Sequence, residues 1–130
     1  MSRVVIAVVD DIFFASKIRG TSQPLGVEVI FVRSTDQLTA GLVQRPDLII
    51  VDLHNQKIDP LQAAEILKKD DGLRSVPLLG FFSHVETELQ RAALAAGYDQ
   101  VIPRSVFSRD LATILEGKDP RSSTKQKVVP

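Results

Sequence analysis

Five short runs of apolar, largely β-branched residues alternate with stretches in which apolar positions recur at helical spacing. The runs Val4–Val9 (VVIAVV), Val27–Val32 (VEVIFV), Leu48–Val51 (LIIV), Pro77–Phe82 (PLLGFF) and Gln100–Ile102 (QVI) predict five strands. The first, third and fourth are apolar nearly throughout rather than alternating, the pattern of strands covered on both faces. Between them, Thr35–Gln44 places Leu38 and Leu42 at i and i+4. Asp59-Pro60 sets an N-cap acid before a first-turn proline, with Leu61, Ala64, Ile66 and Leu67 as the buried stripe. Ser83 or His84 opens a helix carrying Leu89, Ala92, Ala93 and Ala96 on one side, stopped at Gly97, and Ser108 opens the last, with Leu111, Ile114 and Leu115 inward and Gly117 beyond. The first helix, around Ile12–Arg19, has the weakest pattern and is followed by a loop-like GTSQPLG at 20–26. Strand–helix alternation repeated five times predicts one α/β domain, a doubly wound parallel sheet with helices on both faces.

Composition removes several chemistries. The 130 residues contain no Cys, so disulfides, thiolate metal sites and cysteine nucleophiles are absent. The apolar run at Val4–Val9 is too short for a signal-peptide core and ends in Asp10-Asp11, and no stretch approaches the ~20 apolar residues of a membrane span, so a soluble, cytoplasmic protein without membrane contact is expected. Sixteen basic residues balance 16 acidic ones, which argues against a chain whose whole body binds nucleic acid. The balance is uneven along the chain: residues 1–116 carry 12 basic and 15 acidic side chains, whereas 117–130 carry Lys118, Arg121, Lys125 and Lys127 against Asp119. The expected organisation is a domain over 1–116 and a basic, disordered tail over 117–130, with no length for an output domain.

Position turns three of the acids into candidate chemistry. In a doubly wound sheet, ligands bind beyond the carboxyl ends of the strands, where strand order reverses. For the flavodoxin-like order 2-1-3-4-5 that point lies between strands 1 and 3, which end in Asp10-Asp11 and Asp52. Converging carboxylates repel one another, a conflict that a hard cation such as Mg²⁺ resolves with oxygen ligands and retained waters. Such a centre suits a phosphoryl group, and one carboxylate can serve as nucleophile to give an aspartyl phosphate. The plainer reading has Asp10 and Asp11 capping the first helix and Asp52 in water at a strand end.

With these residues in place, the sequence over 3–116 resembles the receiver domain of two-component response regulators. The resemblance rests on AVVDD (7–11), RPDLIIVDL (45–53), KIDPLQAAEIL (57–67), VPLLGFFSH (76–84), ALAAGYDQVI (93–102) and Arg104. It implies that Asp52 is the phosphoacceptor, Asp11 a direct Mg²⁺ ligand with Asp10 its acidic neighbour, and His54 a ligand through its backbone carbonyl. The implied partners are a sensor histidine kinase or phosphotransfer protein and a downstream protein. The implied output face, also a homodimer face, combines the helix after strand 4, strand 5 and the last helix.

Departures from the family pattern concentrate on the signalling half. The position that usually holds Thr or Ser at the end of strand 4 is Phe82, with Ser83 next to it as a substitute phosphoryl contact. The usual Lys after strand 5 is Arg104, a planar fork in place of a point charge, and Pro103 and Ser105 flank it in an altered order. Val101 stands at the aromatic switch position, and Gln56 and Pro60 replace the usual Pro and Gly. Two functions therefore compete: a response regulator phosphorylated on Asp52, with no enzymatic activity beyond its own phosphorylation and dephosphorylation, and a degenerate receiver acting as a phosphorylation-independent interaction module. A flavodoxin-like cofactor binder or small hydrolase lacks the loop it needs, since Asp-Asp-Ile-Phe-Phe after strand 1 repels a phosphate without a metal.

Overall fold

The apolar runs form one parallel sheet, described in a computed structural model that covers residues 3–38 and 45–117. Strands β1 (Val4–Val8), β2 (Glu28–Phe31), β3 (Leu48–Asp52), β4 (Leu78–Phe82) and β5 (Gln100–Pro103) lie in the order β2-β1-β3-β4-β5. Strand β1 pairs with β2 through Ile6↔Ile30 on one side and with β3 through Ala7↔Ile50 on the other, so strand order reverses at the β1–β3 boundary.

Alternate residues of the central strands feed two cores, which explains why these strands are apolar throughout. Ile6, Val8, Ile49, Val51, Leu78 and Phe82 pack on one face with Leu38 and with Ala63, Ala64, Leu67 and Ala93 of helices α2 (Pro60–Lys69) and α3 (Thr87–Ala96). Val5, Ala7, Ile50, Leu79, Phe81 and Ile102 pack on the other, against Phe14 and Ile18 of helix α1 (Ile12–Leu25), Phe107 of α4 (Arg104–Arg109) and Leu111, Ile114 and Leu115 of α5 (Leu111–Leu115). Gly80 in β4 is required by space: a Cβ there meets Leu53 Cδ2 at 2.9 Å and Tyr98 Cδ2 at 3.1 Å.

Helix boundaries depart from the sequence expectation in three places. Helix α1 runs on through residues 20–25, which were expected to form a loop. Its buried stripe is Phe14, Ile18 and Ser22, and the Ser22 hydroxyl donates to the Arg19 carbonyl at 3.0 Å, so a satisfied polar residue takes an apolar position. Pro24 lies in the final turn, one residue before the helix ends at Leu25, and Gly26 at φ 70° closes the helix. Helix α3 starts at Thr87 rather than at Ser83 or His84, leaving an exposed loop after β4. The last helix begins at Arg104 instead of Ser108, anchored by Phe107, and breaks at Asp110 before α5. Of the expected helix 35–44, Thr35–Leu38 forms a 3₁₀ turn with Leu38 buried. Its remainder, including Leu42, and the tail beyond Gly117 lie outside the described residues.

Candidate functional site

Asp52 is the last residue of β3, next to the strand-order reversal, and is only 8% exposed. Its Oδ1 accepts the backbone N–H of His54 at 2.9 Å. Asn55 folds the following loop over the strand ends: its N–H donates to the Asp52 carbonyl, its Nδ2 reaches the Val8 carbonyl at 3.3 Å, and its Oδ1 accepts N–H groups from Lys57 and Ile58. A buried carboxylate so placed is costly to ionise. Burial pushes the Asp52 carboxyl above its usual range and the Asp10 charge adds to the push, while the His54 N–H, the His54 ring and Arg104 oppose it.

The three acids do not converge equally. Asp10 is half-buried and acts on Asp52 through its field. Asp11 is turned to the helix: its Oδ1 accepts the Phe14 N–H at 3.1 Å as the N-cap of α1, and its Oδ2 stands 4.0 Å from Arg104 Nη2. All three acids lie at the carboxyl ends of β1 and β3, with Asp10 and Asp52 within each other's field and Asp11 engaged at the start of α1. Among the described residues, no group of three or more acids and histidines is gathered to hold a metal ion. The helix cap engages one oxygen of Asp11, and the guanidinium of Arg104 faces the other. What remains suits a hard cation in chemical type: carboxylate oxygens of Asp10 and Asp52, within each other's field, match an ion that takes one or two carboxylates and keeps several waters.

Arg104 opens α4 directly beyond β5, with its guanidinium carbon 4.5 Å from the centre of the Phe14 ring. That ring meets Phe81 edge-on at 5.0 Å and Phe107 at 5.4 Å, and Phe81 and Phe107 stack at 4.4 Å. Sequence reasoning placed a cation here but missed the aromatic shelf beneath it, because Phe14 reads only as a core position of α1. At the end of β4, Phe82 belongs to the α2/α3 core with Val101 packed against that core, and Ser83 is exposed.

A polar cluster that the sequence did not signal borders the site on the α3 side. The N–H of His84 approaches His54 Nε2 at 3.5 Å, the two rings meet edge-on at 5.2 Å, and His54 Nδ1 stands 3.7 Å from Glu86 Oε2. The imidazole of His54 thus has a neighbour on each ring nitrogen.

No protein-family model matches the sequence, and no curated protein matches it. Solved structures do. The chemotaxis response regulator CheY4 of Vibrio cholerae superposes with a TM-score of 0.76 at 20% identity, over 89% of this chain and 98% of that one. The phosphorylated cyanobacterial phytochrome response regulator RcpA gives 0.74 at 20% identity, over 90% and 91%. The receiver domain of a sensor histidine kinase from Pseudomonas aeruginosa, with a magnesium ion coordinated in its active-site cleft, gives 0.75 at 20% identity, over 89% and 96%. Among the described residues no helix is long and apolar enough to cross a membrane. Strand order, coverage and these neighbours agree: the chain has the fold of a response regulator receiver domain.

Proposed function

We propose that the chain is a phosphoacceptor in two-component signalling, receiving a phosphoryl group on Asp52 from a histidine kinase or phosphotransfer protein. The observation that carries this reading is the state of Asp52: buried at the switch point, its Oδ1 held by the His54 N–H, with the charges of Asp10 and Arg104 acting on it from either sign. The held Oδ1 leaves Oδ2 as the attacking atom. Oδ2 bonds to phosphorus, the bond from phosphorus to the donor atom breaks, and the donor departs with that electron pair. Mg²⁺, when bound by Asp10, Asp11 and Asp52 with the His54 carbonyl, supplies positive charge to the transferring oxygens and offsets repulsion among the acids. Arg104 contributes a second cation, and the chain performs no other catalysis. The output is a change of protein partner, and the protein works in the cytoplasm.

A second reading, a receiver that does not switch by phosphorylation, is favoured by one feature. Phe82 fills the core where a hydroxyl is expected to meet the phosphoryl oxygen, and Ser83 beside it is exposed. A lost hydrogen bond to a charged oxygen is worth about 1.5–3 kcal/mol. Incubation with acetyl phosphate and Mg²⁺, followed by intact-mass measurement, separates the readings. The first expects one labile phosphoryl adduct, absent from Asp52→Asn. No adduct from any donor overturns it and leaves the second.

A further inference from the structure

Arg104 and Phe14 come from opposite ends of the sequence, yet they meet at the edge of the acid site. The guanidinium carbon of Arg104 lies over the Phe14 ring, 4.5 Å from its centre, with the Asp11 carboxylate 4.0 Å from Nη2. Phe14 is itself well packed: it is 5% exposed and meets both rings of the stacked Phe81–Phe107 pair edge-on. Arg104, in contrast, is about half-exposed, and its side chain is long enough to swing into water. Without the ring, the attraction of an exposed carboxylate is too weak to fix so flexible a side chain. A flat cation on an aromatic face is favourable, and a guanidinium suits that face better than an ammonium does.

We infer that Phe14 is a positioning residue: its ring holds the Arg104 guanidinium over Asp11, and this resident cation competes with a divalent metal for the Asp11 oxygen. The inference rests on the phosphoacceptor reading for its use, though not for its geometry. It gives the Lys-to-Arg exchange a physical partner within this chain, since a planar cation has a planar seat. It also assigns the Asp11–Arg104 contact a consequence. A metal that takes Asp11 must displace the guanidinium, which then remains on its shelf, facing Asp52 and any group carried there.

The test is a double-mutant cycle of Phe14→Leu and Arg104→Met, read by calorimetric titration with Mg²⁺. Arg104→Met removes the competitor and is expected to tighten Mg²⁺ binding about 2- to 10-fold. Phe14→Leu loosens the competitor and produces part of that gain in the parent chain, but no change in the Arg104→Met background. Equal effects of Phe14→Leu in both backgrounds overturn the inference, since they mark a general disturbance of α1. A second readout needs neither metal nor phosphate. The Arg104 side-chain N–H signal in NMR is expected to be shifted by the Phe14 ring, to return to its free position in Phe14→Leu, and to stay shifted in Phe14→Tyr. An unshifted signal in the parent chain overturns the seating of Arg104. If the parent chain binds no Mg²⁺ and takes no phosphoryl group, the phosphoacceptor reading fails, while the NMR series still decides whether Phe14 seats Arg104.

Discussion

The two faces of the sheet support the acid site by different means. On the α1/α4/α5 face, Phe14, Phe81 and Phe107 form a continuous aromatic block, and the block carries a cation, Arg104, that reaches Asp11. On the α2/α3 face, Phe82 is absorbed into an aliphatic core and Tyr98 spends its hydroxyl on the Pro60 carbonyl at 2.8 Å. There the polar groups near the site sit in loops, at His54, His84 and Glu86. A change of charge at Asp52 therefore meets a fixed cation on one side and a packed hydrocarbon wall on the other.

Removing the aromatic block is the strongest way to break this asymmetry. Phe107 is fully buried and touches both other rings, so Phe107→Ala is expected to cost about 3–5 kcal/mol in urea denaturation. Phe82→Ala, at a slightly more exposed position, is expected at the lower end of that range and should leave the Arg104 signal unmoved. If both variants shift that signal equally, the faces are not independent. Gly80→Ala tests the packing of the α2/α3 face, to which Leu53 and Tyr98 belong. Its new Cβ meets Leu53, the neighbour of Asp52, at 2.9 Å, and overpacking of this kind costs about 1–3 kcal/mol. A crystal structure of the variant is expected to show Leu53 displaced. Tyr98→Phe is a smaller probe of the α2/α3 face. It removes the hydroxyl's bond to the Pro60 carbonyl at the start of α2 and costs about 1 kcal/mol, with no change at Arg104.

These differences also show where sequence reading succeeds. Strands β1, β3 and β4 were legible because burial on both faces keeps them apolar up to Asp52 at the end of β3, and acids stand where the first and third apolar runs stop. Alternation indicated a parallel sheet with helices on both faces, and the order β2-β1-β3-β4-β5 is the flavodoxin-like one expected for five such units. Helix α1 was misjudged because Ser22 occupies a core position and Gly20 and Pro24 read as a loop. The capping of α1 by Asp11 was one of two readings the sequence left open, since capping and metal binding call for the same residue type. Phe14 and Arg104 carry no shared pattern; only the folding of α1 against the start of α4 brings them together. Periodicity records what each segment buries, and it is silent on which oxygen of a carboxylate is already taken.

The smallest expected effect concerns Asp52 itself. Its carboxyl is raised in the folded protein, first by burial, so the folded state holds its proton more tightly than the unfolded state does. Stability contributed by this group is therefore lost as pH rises from the ordinary carboxylate value through the raised one, and the loss is complete above it. Asp52→Asn keeps the shape and has no charge to bury. In metal-free buffer it is expected to be more stable than the parent near pH 7, by about 1 kcal/mol, with the difference vanishing as pH falls below the unfolded value. Saturating Mg²⁺ is expected to reverse the order at neutral pH, because the metal stabilises only a chain that retains the carboxylate. Urea melts of the two proteins across pH, with and without the metal, measure both terms. An Asn variant less stable at every pH would show that the His54 N–H and Arg104 outweigh burial, and that Asp52 is a structural anion.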